Sequence, residues 1–367
     1  MRDLAIDMTP TCVNRTAVYH IAMDTLAALR KQGAWRLETQ YCGELAPMPQ
    51  TVAERKLIAK RFAEDVDRWA AGGPHDDELM ICAPKRSHDL PVFYLDPIYA
   101  LYQPLRREDF VFVHDLSVLT NPQWHAHGVT LCYERAFRKL AASRARVITN
   151  SLHTTTILRA NFSIPESDIF TCLLYLRGLP QTSEQQRPEA ELTPGRFFLF
   201  VGSLETRKNV AGLIRAFATS GLSEEGWRLA IAGGDGWGSE SIVETAEQVE
   251  GAELLGFVTD GELAWLYENA AAFAYPSFLE GFGVPLLEAM ARGLPCMTSL
   301  TGAAPEVVGD LGLIVNPYDV TSIVDGLRQC AIMAGEQGFA SKQALRDRAG
   351  EFSFARFFDK LNRALLQ

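Results

Sequence analysis

The sequence predicts an α/β protein made of two doubly wound domains in series, and three observations carry that reading. The chain has 367 residues, too many for one comfortable hydrophobic core and suited to two domains of roughly 150–200 residues each. At mid-chain the stretch from Gly178 to Gly195 is polar, holds three prolines and shows neither helical nor strand periodicity, as a linker would. On either side of it short apolar runs alternate with amphipathic segments, the rhythm of a parallel sheet wrapped by helices. Hydrophobic residues make up 47% and charged residues 22%, with a mean hydropathy of -0.02. Disordered, collagen-like and coiled-coil classes are thereby excluded.

Taken in order, the first domain (1–177) reads as strands at Leu4–Asp7, Leu79–Cys82, Phe110–His114 and Arg146–Thr149, with helices at Ala17–Lys31, Val52–Trp69 and Thr130–Arg144. After the linker (178–195), the run Arg196–Val201 ends in Gly202, as a buried parallel strand does, and opens a second domain over 196–350. Strands at Arg228–Ala232, Ala252–Leu255, Ala271–Tyr275, Pro295–Thr298 and Gly312–Val315 follow. They are separated by helices at Val210–Thr219, Ser239–Val249, Asp260–Asn269, Pro285–Arg292 and Val320–Ala334. A closing helix over 351–367 can cross back to the first domain. Two such domains are expected to face each other across a ligand cleft at the carboxyl ends of both sheets.

The net charge of -10 argues against nucleic acid as the partner, because phosphate backbones need clustered Lys and Arg. Residues 1–190 hold 22 basic and 22 acidic residues, so the whole excess lies in residues 191–367, with 13 basic and 23 acidic. No apolar run reaches the length of a membrane span, and Asp7 interrupts the segment where a signal peptide would be apolar, which predicts a cytoplasmic protein. The seven cysteines are scattered without a CxxC pair, which suits buried thiols better than a disulfide framework or a zinc site. The Glu134–Arg146 segment carries five basic residues against one acid, with Phe137 and Leu140 on a second face. A solvated charged face is the favoured reading of it, and peripheral docking on an anionic membrane surface the other.

Chemistry concentrates in Tyr275-Pro-Ser-Phe-Leu-Glu-Gly-Phe-Gly-Val-Pro-Leu-Leu-Glu-Ala-Met-Ala-Arg-Gly-Leu-Pro295. It leaves a strand, passes through Gly281 and Gly283, and enters a helix with Pro285 in its first turn, where a missing N–H costs nothing. Free N–H groups and the positive dipole end of such a helix attract an anion. Glu280 precedes the helix and Glu288 lies inside it, two acceptors for the hydroxyl groups of one ligand. Two glutamates eight apart are common on solvated helices, but here both belong to one glycine- and proline-punctuated turn. Arg207 and Lys208 follow a strand and could supply cations, an exposed basic pair being the plainer alternative.

This string resembles the signature of retaining nucleotide-sugar glycosyltransferases of family 4, which have two Rossmann-like domains in the GT-B arrangement and paired glutamates with seven residues between them. Val201-Gly-Ser-Leu-Glu-Thr-Arg-Lys-Asn209, Ile231-Ala-Gly-Gly-Asp-Gly-Trp-Gly238, Leu255-Gly-Phe-Val-Thr-Asp-Gly-Glu-Leu263 and Ala304-Pro-Glu-Val-Val308 agree in order and spacing. In the first domain Val113–Pro122 and Arg146–Ser151 resemble matching family segments. The Arg-Lys-Asn and Gly-Trp-Gly variants are similar to those of bacterial mannosyltransferases that use GDP-sugars.

The resemblance implies roles. Arg207 and Lys208 would neutralise a nucleoside diphosphate leaving group. Glu280, with backbone N–H groups near Phe282, Gly283 and Val284, would hold the donor sugar, and Glu288 the ribose. Gly256, Phe257 and Val258 would frame the base. His114, ending a first-domain strand, would meet the sugar near its anomeric carbon, and spacing alone leaves a hydrogen-bonded strand-end ring equally open. The family's glycine-rich turn after the first strand is here Met8–Thr16 without glycine, so Asn14, Arg15 or Thr16 would meet phosphate or acceptor through side chains. No cofactor or metal is expected: the one Asp-x-Asp, Asp65-Val66-Asp67, falls inside a helix.

The function so implied is transfer of a sugar, mannose from GDP-mannose foremost, onto a saccharide or lipid-linked saccharide. A UDP-sugar donor and a non-catalytic nucleotide-sugar-binding partner are the alternatives. A dehydrogenase is disfavoured because Gly234-Asp-Gly-Trp-Gly238 lacks the dinucleotide spacing.

Overall fold

The computed structural model describes residues 1–13, 17–71, 86–177, 185–236, 238–336, 338 and 340–367. The chain forms two compact units, Met1–Cys172 with Ala355–Gln367, and Leu173–Phe354. Both are parallel-sheet α/β units, each with helices packed on its sheet.

The first sheet contains β1 (Arg2–Asp7), β2 (Trp35–Tyr41), β3 (Glu44–Leu45), β4 (Val92–Tyr94), β5 (Phe110–Val113), β6 (Arg146–Thr149) and β7 (Ile169–Thr171). Their order is β3-β2-β1-β4-β5-β6-β7, parallel throughout except for the edge pair of β2 and β3. The expected strand at Leu79–Cys82 lies outside the described residues. Sequence reading missed β2, whose half-exposed Trp-Arg-Leu-Glu-Thr-Gln-Tyr lacks a continuous apolar run, and the three-residue strands β4 and β7.

Helix His127–Ala142 does not offer the apolar second face on which the membrane-docking alternative drew. Phe137 and Leu140 are buried in the core with Val111, Val113, Val147 and Leu158, so they are not available to lipid. Two of the five basic residues also turn inward: Arg135 donates to the Trp69 carbonyl and Lys139 to the Leu101 carbonyl. Burial lowers the Lys139 pKa to about 8. The C-terminal helix Phe354–Leu366 buries Phe357, Leu361, Ala364 and Leu365, spaced to form one stripe, within the first unit. Each large member of that stripe contributes about 1.5–3 kcal/mol of hydrophobic stabilisation. Trp35 Nε1 donates to Asn362 Oδ1 at 3.2 Å and fixes the helix register against β2.

The second sheet contains β8 (Phe197–Val201), β9 (Arg228–Ala232), β10 (Ala252–Gly256), β11 (Ala272–Tyr275), β12 (Cys296–Ser299) and β13 (Leu313–Val315), in the order β10-β9-β8-β11-β12-β13. All pairs are parallel. The strand order reverses between β8 and β11, and such a switch point leaves a crevice at the carboxyl ends of the strands, where ligands bind. The segments leaving β8 and β11 there are 202–209 and 276–283.

Candidate active site

From β8 the chain passes through Gly202 into a 3-10 turn, Thr206–Lys208, and then Asn209 in the left-handed region (φ 55°) before helix Val210–Ser220. Asn209 Nδ2 donates to the carbonyls of Pro276 and Pro317, at 3.1 and 2.9 Å, tying this turn to the exit of β11. A Cβ at Gly212 would stand 2.1 Å from Asn209 Oδ1, so glycine there admits the clamp.

The clamp brings three predicted residues together. Lys208 Nζ lies 3.0 Å from Glu280 Oε1 and 2.8 Å from Tyr275 Oη, and Arg207 Nη1 lies 3.1 Å from Glu280 Oε2. Tyr275 also donates to Glu280 Oε1 at 2.9 Å, and Arg207 Nη1 to the Leu279 carbonyl at 2.7 Å. Lys208 is 9% exposed and Glu280 7%. Burial pushes the Glu280 pKa up, but Arg207 and Lys208 outweigh it and hold the carboxyl at about 2. Lys208 mirrors this: burial pulls its pKa down, and the Glu280 charge lifts it above the ordinary lysine range. The plainer alternative, an exposed basic pair, is therefore corrected. The Glu280 backbone is fixed as well, since Ala303 N donates to its carbonyl and a Cβ on Gly302 would stand 2.7 Å from its nitrogen.

Gly283 (φ 100°) opens helix Val284–Ala291, which has no side-chain cap; Pro285 carries no N–H and Leu286 N donates to the Gly283 carbonyl at 3.0 Å, which leaves the Val284 N–H as the candidate contact for a ligand. The Phe282 ring is buried against Phe352, and only its backbone remains a candidate contact. Glu288, half-buried, accepts from Tyr267 Oη at 3.0 Å. Burial raises its pKa, against the Tyr267 hydrogen bond and the charges of Arg177 and Arg292. At the end of β10, the Gly256 carbonyl accepts from Gly233 N at 2.8 Å, and Val258 is half-buried. The Phe257 ring is 91% exposed and lies over Gly234, where a Cβ would stand 2.2 Å from it. A solvent-facing aromatic of this kind is a platform on which a planar base can stack.

In the first unit, His114 follows β5 and stacks on Phe112 with centroids 4.5 Å apart. Its Nε2 is 2.8 Å from the Leu95 carbonyl, which can only accept, so Nε2 carries the proton and Nδ1 is the acceptor of the neutral ring. Burial lowers its pKa. Asn14, Arg15 and Thr16 lie outside the described residues. Asp7, ending β1, is buried; its carboxylate accepts from Thr9 N and Gln40 Nε2, and burial raises its pKa to about 6. Asp65 is engaged by Tyr102 Oη at 2.9 Å and by Arg68 at 3.2 Å, and it does not pair with Asp67.

Residues 181–337 match the family model described as glycosyl transferases group 1. The chain is 32% identical over 243 residues to O-antigen chain mannosyltransferase B of Escherichia coli, covering 63% of this chain and 64% of the relative. It is 28% identical to O-antigen chain mannosyltransferase RfbU of Salmonella typhimurium, over 60% of each. The chain thus spans a little under two thirds of the length of these relatives. Sucrose-phosphate synthase from Thermosynechococcus elongatus has the same fold, with a TM-score of 0.69, 17% identity and coverage of 99% of this chain and 98% of that one. WaaG, a glycosyltransferase involved in lipopolysaccharide biosynthesis, has it with a TM-score of 0.62, 16% identity and 99% and 98% coverage. The fold expectation of the GT-B class is borne out by these neighbours.

Within the matched segment, sequence reasoning missed Tyr275, Asn209, Gly302 and Tyr267. Tyr275 and Asn209 border motifs already singled out, so adjacency was the available signal. Gly302 and Tyr267 carry none, since their roles arise only when distant loops pack.

Proposed function

We propose that the protein is a retaining mannosyltransferase that moves mannose from GDP-mannose to a hydroxyl of a saccharide or lipid-linked saccharide during polysaccharide assembly. One observation carries this: two cations, Arg207 and Lys208, converge on buried Glu280 at the switch point of the second sheet. The names of the two O-antigen mannosyltransferases support the choice of sugar and acceptor class. The chain's own residues divide the work. Arg207 and Lys208 stabilise the charge that develops on the departing diphosphate, a contribution largest in a dry, preorganised site. Glu280 accepts hydrogen bonds from donor-sugar hydroxyls, Glu288 from the ribose, and Phe257 carries the base. In a front-face displacement the new glycosidic bond forms on the side from which the diphosphate leaves, and a phosphate oxygen takes the acceptor proton.

The test is incubation of purified protein with GDP-mannose, and in parallel with UDP-hexoses, in the presence of acceptor extract. Nuclear magnetic resonance of the product then reads the anomeric configuration. Transfer from GDP-mannose with retention is expected. Exclusive use of a UDP-sugar overturns the donor assignment, inversion overturns the mechanism, and binding without turnover favours the non-catalytic reading.

A further inference from the structure

Glu205 lies in the turn after β8, and the roles assigned above make no use of it. Its Oε2 is 3.3 Å from Arg207 Nη2, and its Oε1 accepts the Ser203 hydroxyl at 2.6 Å. The turn after β9 closes over its stem: a Cβ on Gly236 would stand 2.7 Å from Glu205 Cγ, so only glycine fits there. With Glu205 in place, the cations of Arg207 and Lys208 face the carboxylates of Glu205 and Glu280, and the cluster is neutral.

A diphosphate arriving with two or more negative charges gains little from cations that are already neutralised. One carboxylate has to yield. Glu280 has a side chain 9% exposed and is held by Lys208, Arg207 and Tyr275, so releasing it would strand a buried charge. Glu205 has a side chain 32% exposed and can rotate into water.

We propose that Glu205 is an internal stand-in for phosphate, a positioning residue that occupies Arg207 in the empty site, gives way to the donor diphosphate, and returns as the nucleoside diphosphate departs. This deepens the donor reading given above and rests on it. The apparent affinity for any diphosphate is then reduced by the fraction of molecules in which Glu205 holds Arg207. That reduction is independent of base and sugar.

The experiment is calorimetric titration of GDP, inorganic pyrophosphate and guanosine into the wild type and into Glu205→Gln, with steady-state kinetics alongside. GDP and pyrophosphate are expected to bind Glu205→Gln roughly three- to tenfold more tightly, with the gap narrowing at high salt and guanosine unaffected. KM for the donor falls without a matching gain in kcat, and Glu205→Asp lies between the two proteins. Should Glu205→Gln not fold, Ser203→Ala frees Oε1 and is expected to tighten GDP binding in the same sense. GDP affinity in a folded variant that equals or falls below the wild type's overturns the proposal and makes Glu205 a brace for Arg207. A wild-type protein that binds neither GDP, UDP nor pyrophosphate overturns the donor reading and this inference with it.

Discussion

The ammonium of Lys208 stands 3.0 Å from the carboxylate of Glu280, and both side chains are nearly withdrawn from solvent. The buried Lys208 charge depends on Glu280, and the buried Glu280 charge on Lys208 and Arg207, so each functional residue is also part of the fold. Substitutions at this pair therefore need two measurements, one of activity and one of stability.

Lys208→Ala is expected to lower both. Loss of a partner from a buried ion pair costs about 3–5 kcal/mol, and the lower end applies because Arg207 still faces the carboxylate. Arg207→Ala, at a more exposed position, should slow transfer by about 2–4 kcal/mol of transition-state stabilisation with a smaller loss of stability. Denaturant melts and initial rates on the same samples check this. Wild-type turnover in both variants would sink the assignment.

The two glutamates should separate kinetically. Glu280→Gln removes a charge beside the reacting centre and should mainly depress kcat. Glu288→Gln, on the helix and tied to Tyr267, should weaken GDP and GDP-mannose binding alike. Equal loss of GDP affinity in both variants would mean that both contact the nucleotide.

Asp7 provides a pH dependence in the first unit. Its folded pKa of about 6 lies above the ordinary 3.8, so between those values the folded chain holds a proton that the unfolded chain has released. Stability from this group is full below about pH 4 and is lost as pH rises through 6. Across that window the wild type should lose about 2–3 kcal/mol relative to Asp7→Asn. Thermal melts of the two proteins from pH 4 to pH 7 check it, and a constant Tm difference would contradict the burial argument.

Transfer is expected to proceed in EDTA, because Arg207 and Lys208 supply the cations a diphosphate needs and Asp65 is already engaged by Tyr102 and Arg68. Activity abolished by EDTA and restored by magnesium or manganese would show a metal requirement.

The order of strands and helices in the second unit was legible in the sequence, because buried parallel strands are continuous apolar runs and amphipathic helices keep a period of 3.6. The runs at Arg228–Ala232 and Asp260–Asn269 match the observed elements residue for residue. Arg207, Lys208 and Glu280 could be singled out because each lies in a glycine-marked strand-to-helix turn, and Glu288 because it lies in the helix that such a turn opens. Periodicity could not reveal β4 and β7, which have too few residues to establish a pattern. Nor could it show that Phe137 and Leu140 face the core, because an amphipathic pattern defines a face without saying what covers it. The tertiary structure alone decided that Arg207 and Lys208 point at Glu280, more than seventy residues away, rather than into solvent. Long-range packing also set the charge state of that cluster: a pKa depends on the groups that folding brings within a few ångströms and on the water it removes, and neither is written in sequence spacing.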